Sequence, residues 1–191
     1  MTLIWIIMAI CTIMVAASAI DVFLLIQYSH GLEISEFAIN ISDSTLNIGG
    51  YFFIAAYIIS AITFILWFRR AYYNLHILIG STEYGNGWAA GSWFIPIANL
   101  FIPYNIMKEL YEKTDQYLFV DDNEDYTENR LTTKYIGRWW ALWIISNISF
   151  RIINKVMEMV QTLDAIIISR TIYTLSLLLF IILAFITIIV I

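Results

Sequence analysis

Arginine, asparagine, tyrosine and tryptophan side chains able to bind a polar ligand crowd into two stretches of this sequence, residues 67–105 and 139–143. Guanidinium and amide groups donate hydrogen bonds to phosphate, carboxylate or backbone oxygen atoms, and the aromatic rings add apolar surface with a polar edge. The two stretches predict either a ligand-binding site or a set of structural anchors. The candidate binding residues are Arg69, Arg70, Tyr72, Asn74, Trp93, Asn99, Tyr104, Trp139 and Trp140.

One acidic residue, Asp21, interrupts an otherwise apolar run that extends from residue 3 to residue 28. A carboxylate inside a membrane helix is costly and often marks an ion or proton path. The run is also long enough to place Asp21 at the level of the lipid headgroups, where water or a bonded partner would stabilise it. Asp21 is therefore either a functional intramembrane acid or a structural carboxylate.

Metal binding finds little support in the sequence. The only histidines, His30 and His76, fall on opposite sides of the membrane in the topology derived below, and zinc requires further ligands nearby. Residues 121–125 begin like a calcium-binding loop, but Tyr126 replaces the glycine of the turn and Thr132 replaces the bidentate glutamate. We expect a solvated acidic loop, no metal and no cofactor.

Catalysis lacks a candidate set of residues as well. No serine or cysteine is placed near a plausible histidine–acid pair, as nucleophilic catalysis would need. No glycine-rich phosphate loop follows a strand. We expect a non-enzymatic protein.

The composition places these residues in a membrane. Of the 191 residues, 61% are hydrophobic and only 13% are charged, and the mean hydropathy is +0.78. Soluble domains contain about 45–50% apolar residues. A net charge of −5 offers no basic surface for nucleic acid, and the single Cys11 excludes an internal disulfide. The sequence predicts an all-α integral membrane protein in contact with the lipid bilayer.

Four segments reach or approach the length of about 20 apolar residues that a membrane-crossing helix needs. They cover residues 3–28, 49–68, 139–153 and 171–191, within a single polytopic domain of residues 1–191. Residues 16–19 resemble a signal-peptide cleavage site, but no lysine or arginine precedes them and apolar residues continue to residue 26. We expect the first span to be retained.

The segment 88–103 is apolar but only 16 residues long, and it holds both prolines, Pro96 and Pro103. Proline removes a backbone donor and disfavours helix at the residue before it. We therefore expect a structural break at both prolines. The segment is either a proline-broken re-entrant or interfacial piece, or a kinked fifth span.

Positive charge favours the first of these options, because cytoplasmic loops are enriched in lysine and arginine. With four spans, seven lysines and arginines lie on the side of residues 69–138 and three lie on the other side. With five spans the split is five against five. We predict four spans, with the N- and C-termini both cytoplasmic.

The chain between the second and third spans is predicted to lie along the membrane surface. Apolar residues recur at helical spacing over residues 105–118, and Lys108–Glu112 and Glu109–Lys113 form i,i+4 pairs on another face. This pattern predicts a cytoplasmic amphipathic helix, followed by an acidic loop over residues 119–130. A second amphipathic stretch lies within residues 151–170.

Four motifs are specific enough to suggest a family. They read RAYxN at residues 70–74, GWAxGSWFxPIxNLxxPY at 87–104, KEL at 108–110 and WWALW at 139–143. This run, across residues 50–153, resembles an uncharacterised bacterial family of small multi-pass membrane proteins, a domain of unknown function. The resemblance implies a bacterial inner-membrane protein whose working part is residues 70–104, packed against the tryptophan-rich third span. It implies no activity.

We expect a non-enzymatic membrane module that binds a partner protein or lipid headgroups at the cytoplasmic face. The alternative is a subunit of an oligomeric ion or small-molecule channel or transporter. In that alternative the broken segment lines the path and Asp21 tunes it. A protein partner or a homo-oligomer is expected beside the lipid bilayer.

Overall fold

The computed structural model describes residues 2–118, 130–159 and 162–190, and every regular element in these ranges is helical. This confirms the predicted all-α class. The predicted acidic loop 119–130, with its calcium-like pattern, lies outside the described residues except for Arg130, at which α5 begins. The α-helices are α1 Thr2–Ser29, α2 Glu36–Ile79, α3 Trp88–Gly91, α4 Ile102–Leu118, α5 Arg130–Met159 and α6 Leu163–Val190.

Helix α1 ends where Gly31 adopts a left-handed backbone with φ of 78°. The Leu32 N–H donates to the Gln27 carbonyl at 3.2 Å, and the Gly31 N–H donates to the Tyr28 carbonyl at 2.9 Å. These two bonds form a Schellman motif, which satisfies carbonyl groups left free at a helix end and favours glycine because its φ is positive. The helix covers all of the predicted span 3–28.

Helix α2 extends beyond the apolar run 49–68 on both sides. Gly49 does not interrupt it. A Cβ at Gly49 would lie only 3.0 Å from Met14 Cγ on α1, so the missing side chain lets the two helices pack closely. Helix α2 ends beside Gly80, whose φ of 76° turns the chain out of the helix.

By length and composition, three helices in the described ranges can cross a membrane: α1, α2 and α6. The third predicted span, residues 139–153, lies within α5, which is not one of the three. Its mean hydropathy is lower because Asn147, Arg151 and Lys155 fall in or beside its apolar run. A crossing by α5 stays a prediction.

The chain divides into two compact units. Unit 1 comprises residues 1–58 and 142–189, and thus α1, the first part of α2, the second part of α5 and nearly all of α6. Unit 2 comprises residues 59–141 with Val190. It therefore holds the end of α2, the short elements that follow, α4 and the first part of α5.

Unit 1 is held together by polar and aromatic contacts between its helices. The hydroxyl groups of Ser18 on α1 and Thr174 on α6 form a hydrogen bond of 2.7 Å. The ring of Phe180 on α6 meets Phe53 on α2 and Phe150 on α5 edge to face, with centroid distances of 5.6 and 5.9 Å. Such aromatic pairs stabilise a packed core by about 0.5–1.5 kcal/mol each beyond the area they bury.

Large apolar side chains cover much of the outer surface of the long helices. Ile13, Phe23, Tyr51, Phe52 and Leu175 are each more than half exposed. In water such surface costs roughly 25 cal/mol per Å². Hydrocarbon removes that cost, so these helices support a membrane protein.

Candidate functional site

The structure brings all nine candidate binding residues and both prolines into unit 2, whereas Asp21 lies in unit 1. Four of the five aromatic candidates belong to a continuous cluster of rings, which we call the aromatic cluster; Tyr72 is the exception. The aromatic cluster contains Phe64, Trp67, Phe68, Trp93, Tyr104, Trp139 and Trp140. Its residues come from α2, the segment 88–103, α4 and α5, so the motifs that lie far apart in the sequence meet here.

Trp93 stands at the centre of the aromatic cluster. Its ring meets Phe64 at 5.5 Å, Phe68 at 6.1 Å and Trp140 at 5.8 Å, each close to edge to face. The Trp140 indole N–H also donates to the Leu100 carbonyl at 3.0 Å. The aromatic cluster therefore fixes the segment 88–103 at two points, through the Trp93 ring and through the Leu100 backbone.

The segment 88–103 is broken into short pieces, as its prolines predict. After α3 it forms two 3-10 turns, Ser92–Phe94 and Ala98–Leu100, separated by Ile95 in an extended conformation. Ile95 precedes Pro96, and proline disfavours helix at that position. Pro103 has a different role. It lies in the first turn of α4, where its missing N–H would have no partner in any case.

The broken segment presents large apolar side chains outward. Phe94 is 77% exposed, Ile97 is 76% exposed and Phe101 is 62% exposed, and Ile95 is exposed as well. We call residues 94–101 the apolar segment. Its outer side is apolar, and its inner side is held by the aromatic cluster.

The RAYxN motif divides between a buried anchor and two exposed polar side chains. Tyr72 is fully buried, whereas Arg70 and Asn74 are exposed, as is Arg69 next to them. Two residues correspond to about 200° around an α-helix, so positions 70 and 74 both lie opposite position 72. The three predicted binding residues of this motif thus do not form one site.

The buried side of the motif leads to Glu109, a buried carboxylate on α4. Its Oε2 accepts a hydrogen bond of 2.5 Å from the Tyr72 hydroxyl. Its Oε1 accepts bonds from the Glu83 backbone N–H at 2.7 Å and from Lys113 Nζ at 2.6 Å. We call this set of residues the Glu109 hub.

The Glu109 hub fixes the loop that follows α2. The Tyr84 N–H donates to the Tyr72 hydroxyl at 3.0 Å, and Asn105 Nδ2 donates to the Tyr84 hydroxyl at 3.0 Å. Thr82 Oγ1 donates to the Tyr84 carbonyl at 2.9 Å. Residues 82–84 are therefore tied to both α2 and α4, which sets the entry of the chain into the segment 88–103.

Sequence reasoning did not single out the central residue of this hub. Glu109 and Lys113 were recognised only as an i,i+4 pair of a surface helix, and Tyr84 carried no signal. The motif run was the one available hint, since Tyr72 and Glu109 both belong to it. Two asparagines beside the broken segment differ in their contacts: Asn105 Nδ2 donates to the Tyr84 hydroxyl, whereas Asn99 Oδ1 is buried with no hydrogen-bond partner within the described ranges.

The charge of Glu109 predicts a pH dependence of stability. Burial acts to raise the pKa of Glu109, but the hydrogen bonds from Lys113, Tyr72 and the Glu83 amide outweigh it and hold the pKa below its ordinary value of 4.5. A carboxyl group with a depressed pKa stabilises the fold above its unfolded pKa, and that stability is lost as pH falls through the folded pKa.

We therefore expect the wild type to exceed E109Q in unfolding free energy by a constant amount at neutral pH. The difference should begin to shrink as pH falls below about 4.5, where the unfolded carboxyl group takes up its proton. Thermal unfolding of both proteins in the same neutral detergent from pH 7 downward measures it. A difference that is independent of pH would contradict the charged state assigned to Glu109.

Asp21 is buried in unit 1 and has a charged partner. Arg170 Nε on α6 lies 3.4 Å from Asp21 Oδ2, an ion pair whose two side chains are largely buried. Ser42 on α2 donates to the Ala17 carbonyl at 3.1 Å, one turn before Asp21 on α1. The ion pair gives Asp21 a charged partner, although its Oδ2 accepts no hydrogen bond within the described residues. This agrees with the structural alternative for Asp21, and the choice between the two alternatives stays a prediction.

No group of three or more histidine, cysteine, aspartate or glutamate side chains could hold a metal ion in the part of the chain that the structure describes. His76 Nδ1 lies 3.0 Å from Thr82 Oγ1, within hydrogen-bonding distance, and His30 is exposed. The described residues of unit 2 offer hydrogen-bonding groups, charged groups and apolar surface.

Comparison with known proteins assigns a family and no activity. Residues 30–191 match a family described as Domain of unknown function (DUF4328). The match is longer than the motif run 50–153 and includes all of α2, α4 and α6. No curated protein and no solved structure matches the chain.

Proposed function

Because the chain belongs to the DUF4328 family, a domain of unknown function, we propose its function from its own residues. It is a non-enzymatic membrane module that seats the apolar segment in the bilayer interface and binds lipid headgroups there. The proposal includes four membrane spans, formed by α1, α2, α6 and the apolar part of α5. It also includes a location in the bacterial inner membrane, with both termini in the cytoplasm.

The observation that supports this function is the exposure of Phe94, Ile97 and Phe101 on a backbone segment that the aromatic cluster holds in place. Full burial of each such side chain is worth about 1.5–3 kcal/mol. The aromatic cluster holds the opposite side of the segment, through Trp93 and Trp140. Phe94, Ile97 and Phe101 therefore stay on the outer side of the segment, where the hydrocarbon of the lipid covers them.

The position of the broken backbone agrees with an interfacial location. Irregular backbone is tolerated near a membrane where its polar groups meet protein or water. The Leu100 carbonyl is bonded to Trp140, and the Asn99 N–H is bonded to the Ile95 carbonyl at 2.8 Å. Tryptophan and tyrosine rings also prefer the headgroup level, and unit 2 is rich in both.

In the channel alternative the broken segment lines the path and Asp21 tunes it. An acid that conducts ions needs access to a path, whereas Asp21 is buried against Arg170. We therefore do not propose a channel.

A depth measurement tests the proposed function. Cys11 is fully buried, so an introduced cysteine can be labelled selectively with an environment-sensitive fluorophore. The I97C variant carries the label on the apolar segment, and K108C carries it on the exposed face of α4 as the matched control. In vesicles containing nitroxide lipids, we expect quenching by the lipid at residue 97 and quenching by aqueous iodide at residue 108.

If iodide quenches the label at residue 97 as strongly as the label at residue 108, the proposal is contradicted. The same holds for a label at residue 97 that is shielded in native membranes but exposed to iodide in pure lipid vesicles, because that result assigns the segment to a protein partner.

A further inference from the structure

We infer that Arg70 and Asn74, with Arg69 beside them, bind the phosphate group of an anionic phospholipid. This rests on the proposed function, which brings unit 2 to the level of the headgroups. It adds the class of lipid, the part of the lipid that is recognised and the residues that recognise it.

The first support is that these side chains are exposed and have no partner among the described residues. In the part of the chain that the structure describes, Arg69, Arg70 and Asn74 make neither an ion pair nor a side-chain hydrogen bond. The chain has 15 acidic and 10 basic residues, so acidic partners for arginine are plentiful. Two adjacent arginines without one leave their donors available to a ligand.

The second support is their placement on α2. Residues four apart on a helix are neighbours on one face, so the Arg70 guanidinium and the Asn74 amide can reach the same group. Tyr72 sets the rotation of this face, because its buried hydroxyl is bonded to Glu109 at 2.5 Å. The buried anchor of the RAYxN motif thus orients the exposed pair.

The third support is depth. The apolar run of α2 ends at Phe68, a member of the aromatic cluster, and Arg69 follows directly. Trp67 and Tyr73 are exposed on either side of the arginines. Exposed tryptophan and tyrosine at the end of an apolar helix mark the headgroup level, which is where lipid phosphates lie.

The chemistry of the side chains selects phosphate. The planar guanidinium of arginine matches two phosphate oxygen atoms at once, and the asparagine amide donates to a third. Phosphatidylcholine also has a phosphate, but its own cation neutralises it. An anionic lipid such as phosphatidylglycerol has no cation in its headgroup. Each arginine near a membrane surface adds about 1 kcal/mol of attraction to such a lipid, or about fivefold in affinity.

The competing interpretation is simple positive-inside anchoring, in which any positive charge serves. The two differ for Arg70→Lys. Lysine keeps the charge but lacks the planar fork, so anchoring alone predicts wild-type binding for R70K. A phosphate site predicts weaker binding, since the two residues are not interchangeable where two oxygen atoms are held together.

The experiment titrates the full-length purified chain in neutral detergent with dioctanoyl phosphatidylglycerol. Bound lipid is counted by native mass spectrometry, and dioctanoyl phosphatidylcholine serves as the reference lipid. We expect the wild type to prefer phosphatidylglycerol, R70Q to bind it about fivefold more weakly, and N74A and R70K to fall between the two. The matched control is R151Q, which removes an exposed arginine from α5 in unit 1 and should bind as the wild type does.

Three results would overturn the inference. R70K could bind as well as the wild type, R151Q could lose as much affinity as R70Q, or inorganic phosphate could displace the lipid at equal concentration. The last outcome would assign the site to free phosphate. Because Arg70, Asn74 and Arg151 are exposed, their variants leave the core intact, and unchanged thermal unfolding verifies that they fold.

The two proposals fail in different ways. R70Q should leave lipid quenching at residue 97 unchanged while it weakens phosphatidylglycerol binding. If residue 97 is in water, the proposed location of the apolar segment in the bilayer interface is wrong. If residue 97 is in lipid and phosphatidylglycerol is not preferred, only the phosphate site is wrong.

Discussion

Replacing Glu109 with alanine is expected to lower the free energy of unfolding by about 3 kcal/mol. The carboxylate accepts three hydrogen bonds, from Tyr72, the Glu83 amide and Lys113. Alanine leaves these donors without their acceptor, and each buried group left unpaired costs about 1–3 kcal/mol. Lys113 is partly exposed and can bind water instead. The expected loss of unfolding free energy is therefore near the lower end of the sum over the three donors.

Equilibrium unfolding by sodium dodecyl sulfate in mixed micelles measures this change. Glu112 on the same helix is the matched control, since it pairs with Lys108 at 3.7 Å while both side chains are about half exposed. An exposed i,i+4 pair contributes at most about 0.5 kcal/mol, so E112A should unfold nearly as the wild type does. Equal effects of E109A and E112A would show that Glu109 is not a hub.

The same contrast explains why the sequence did not reveal Glu109. In sequence, Glu109–Lys113 and Lys108–Glu112 are both i,i+4 pairs of opposite charge on one amphipathic helix, although their order along the chain is reversed. Glu109 is buried because of what approaches it from elsewhere in the chain, namely the Tyr72 hydroxyl and the Glu83 amide. Helical periodicity identifies the apolar face of a helix, but a charged residue at the border of that face is buried or exposed according to non-local partners.

The aromatic cluster was easier to anticipate, because four of its seven members, Trp93, Tyr104, Trp139 and Trp140, belong to the motifs. All three tryptophans, at 93, 139 and 140, are candidate binding residues in the sequence. In the structure the Trp140 ring centroid lies 5.8 Å from that of Trp93 and 5.6 Å from that of Trp139. The separate roles within RAYxN were not predicted. Tyr72 and Asn74 look alike as polar candidates until the rotation of α2 is known.

Hydropathy located the apolar parts of the helices and not their ends. The run 49–68 predicts where α2 meets lipid, but polar residues such as Asn40 and Ser44 continue the same helix in the N-terminal direction. Gly49 suggested a beginning, whereas its role is close packing against Met14. Pro103 suggested a break, and in the structure it lies in the first turn of α4. Glycine and proline each have two structural uses, and only the neighbouring residues in space decide between them.

Replacing Asp21 with asparagine is expected to lower the free energy of unfolding by about 3 kcal/mol, as for other buried ion pairs that lose one partner. Asparagine keeps the shape of the side chain and removes its charge, which leaves the Arg170 guanidinium unpaired. The Arg170 side chain is 29% exposed, so water relieves part of the cost and the effect lies near the lower end of the usual range. Asp43, an exposed carboxylate on α2, provides the control D43N, which should change stability little.

A double-mutant cycle with R170A separates the ion pair from the burial of each residue alone. If Asp21 and Arg170 stabilise unit 1 through each other, the double variant should be less destabilised than the sum of the single variants, by about 1–3 kcal/mol. Additive effects would mean that the pair contributes no coupling. A D21N variant as stable as the wild type would go further, because a buried carboxylate costs several kcal/mol to keep. A charge retained at that cost without stabilising the helices would return Asp21 to the ion-path hypothesis that its position in the sequence first raised.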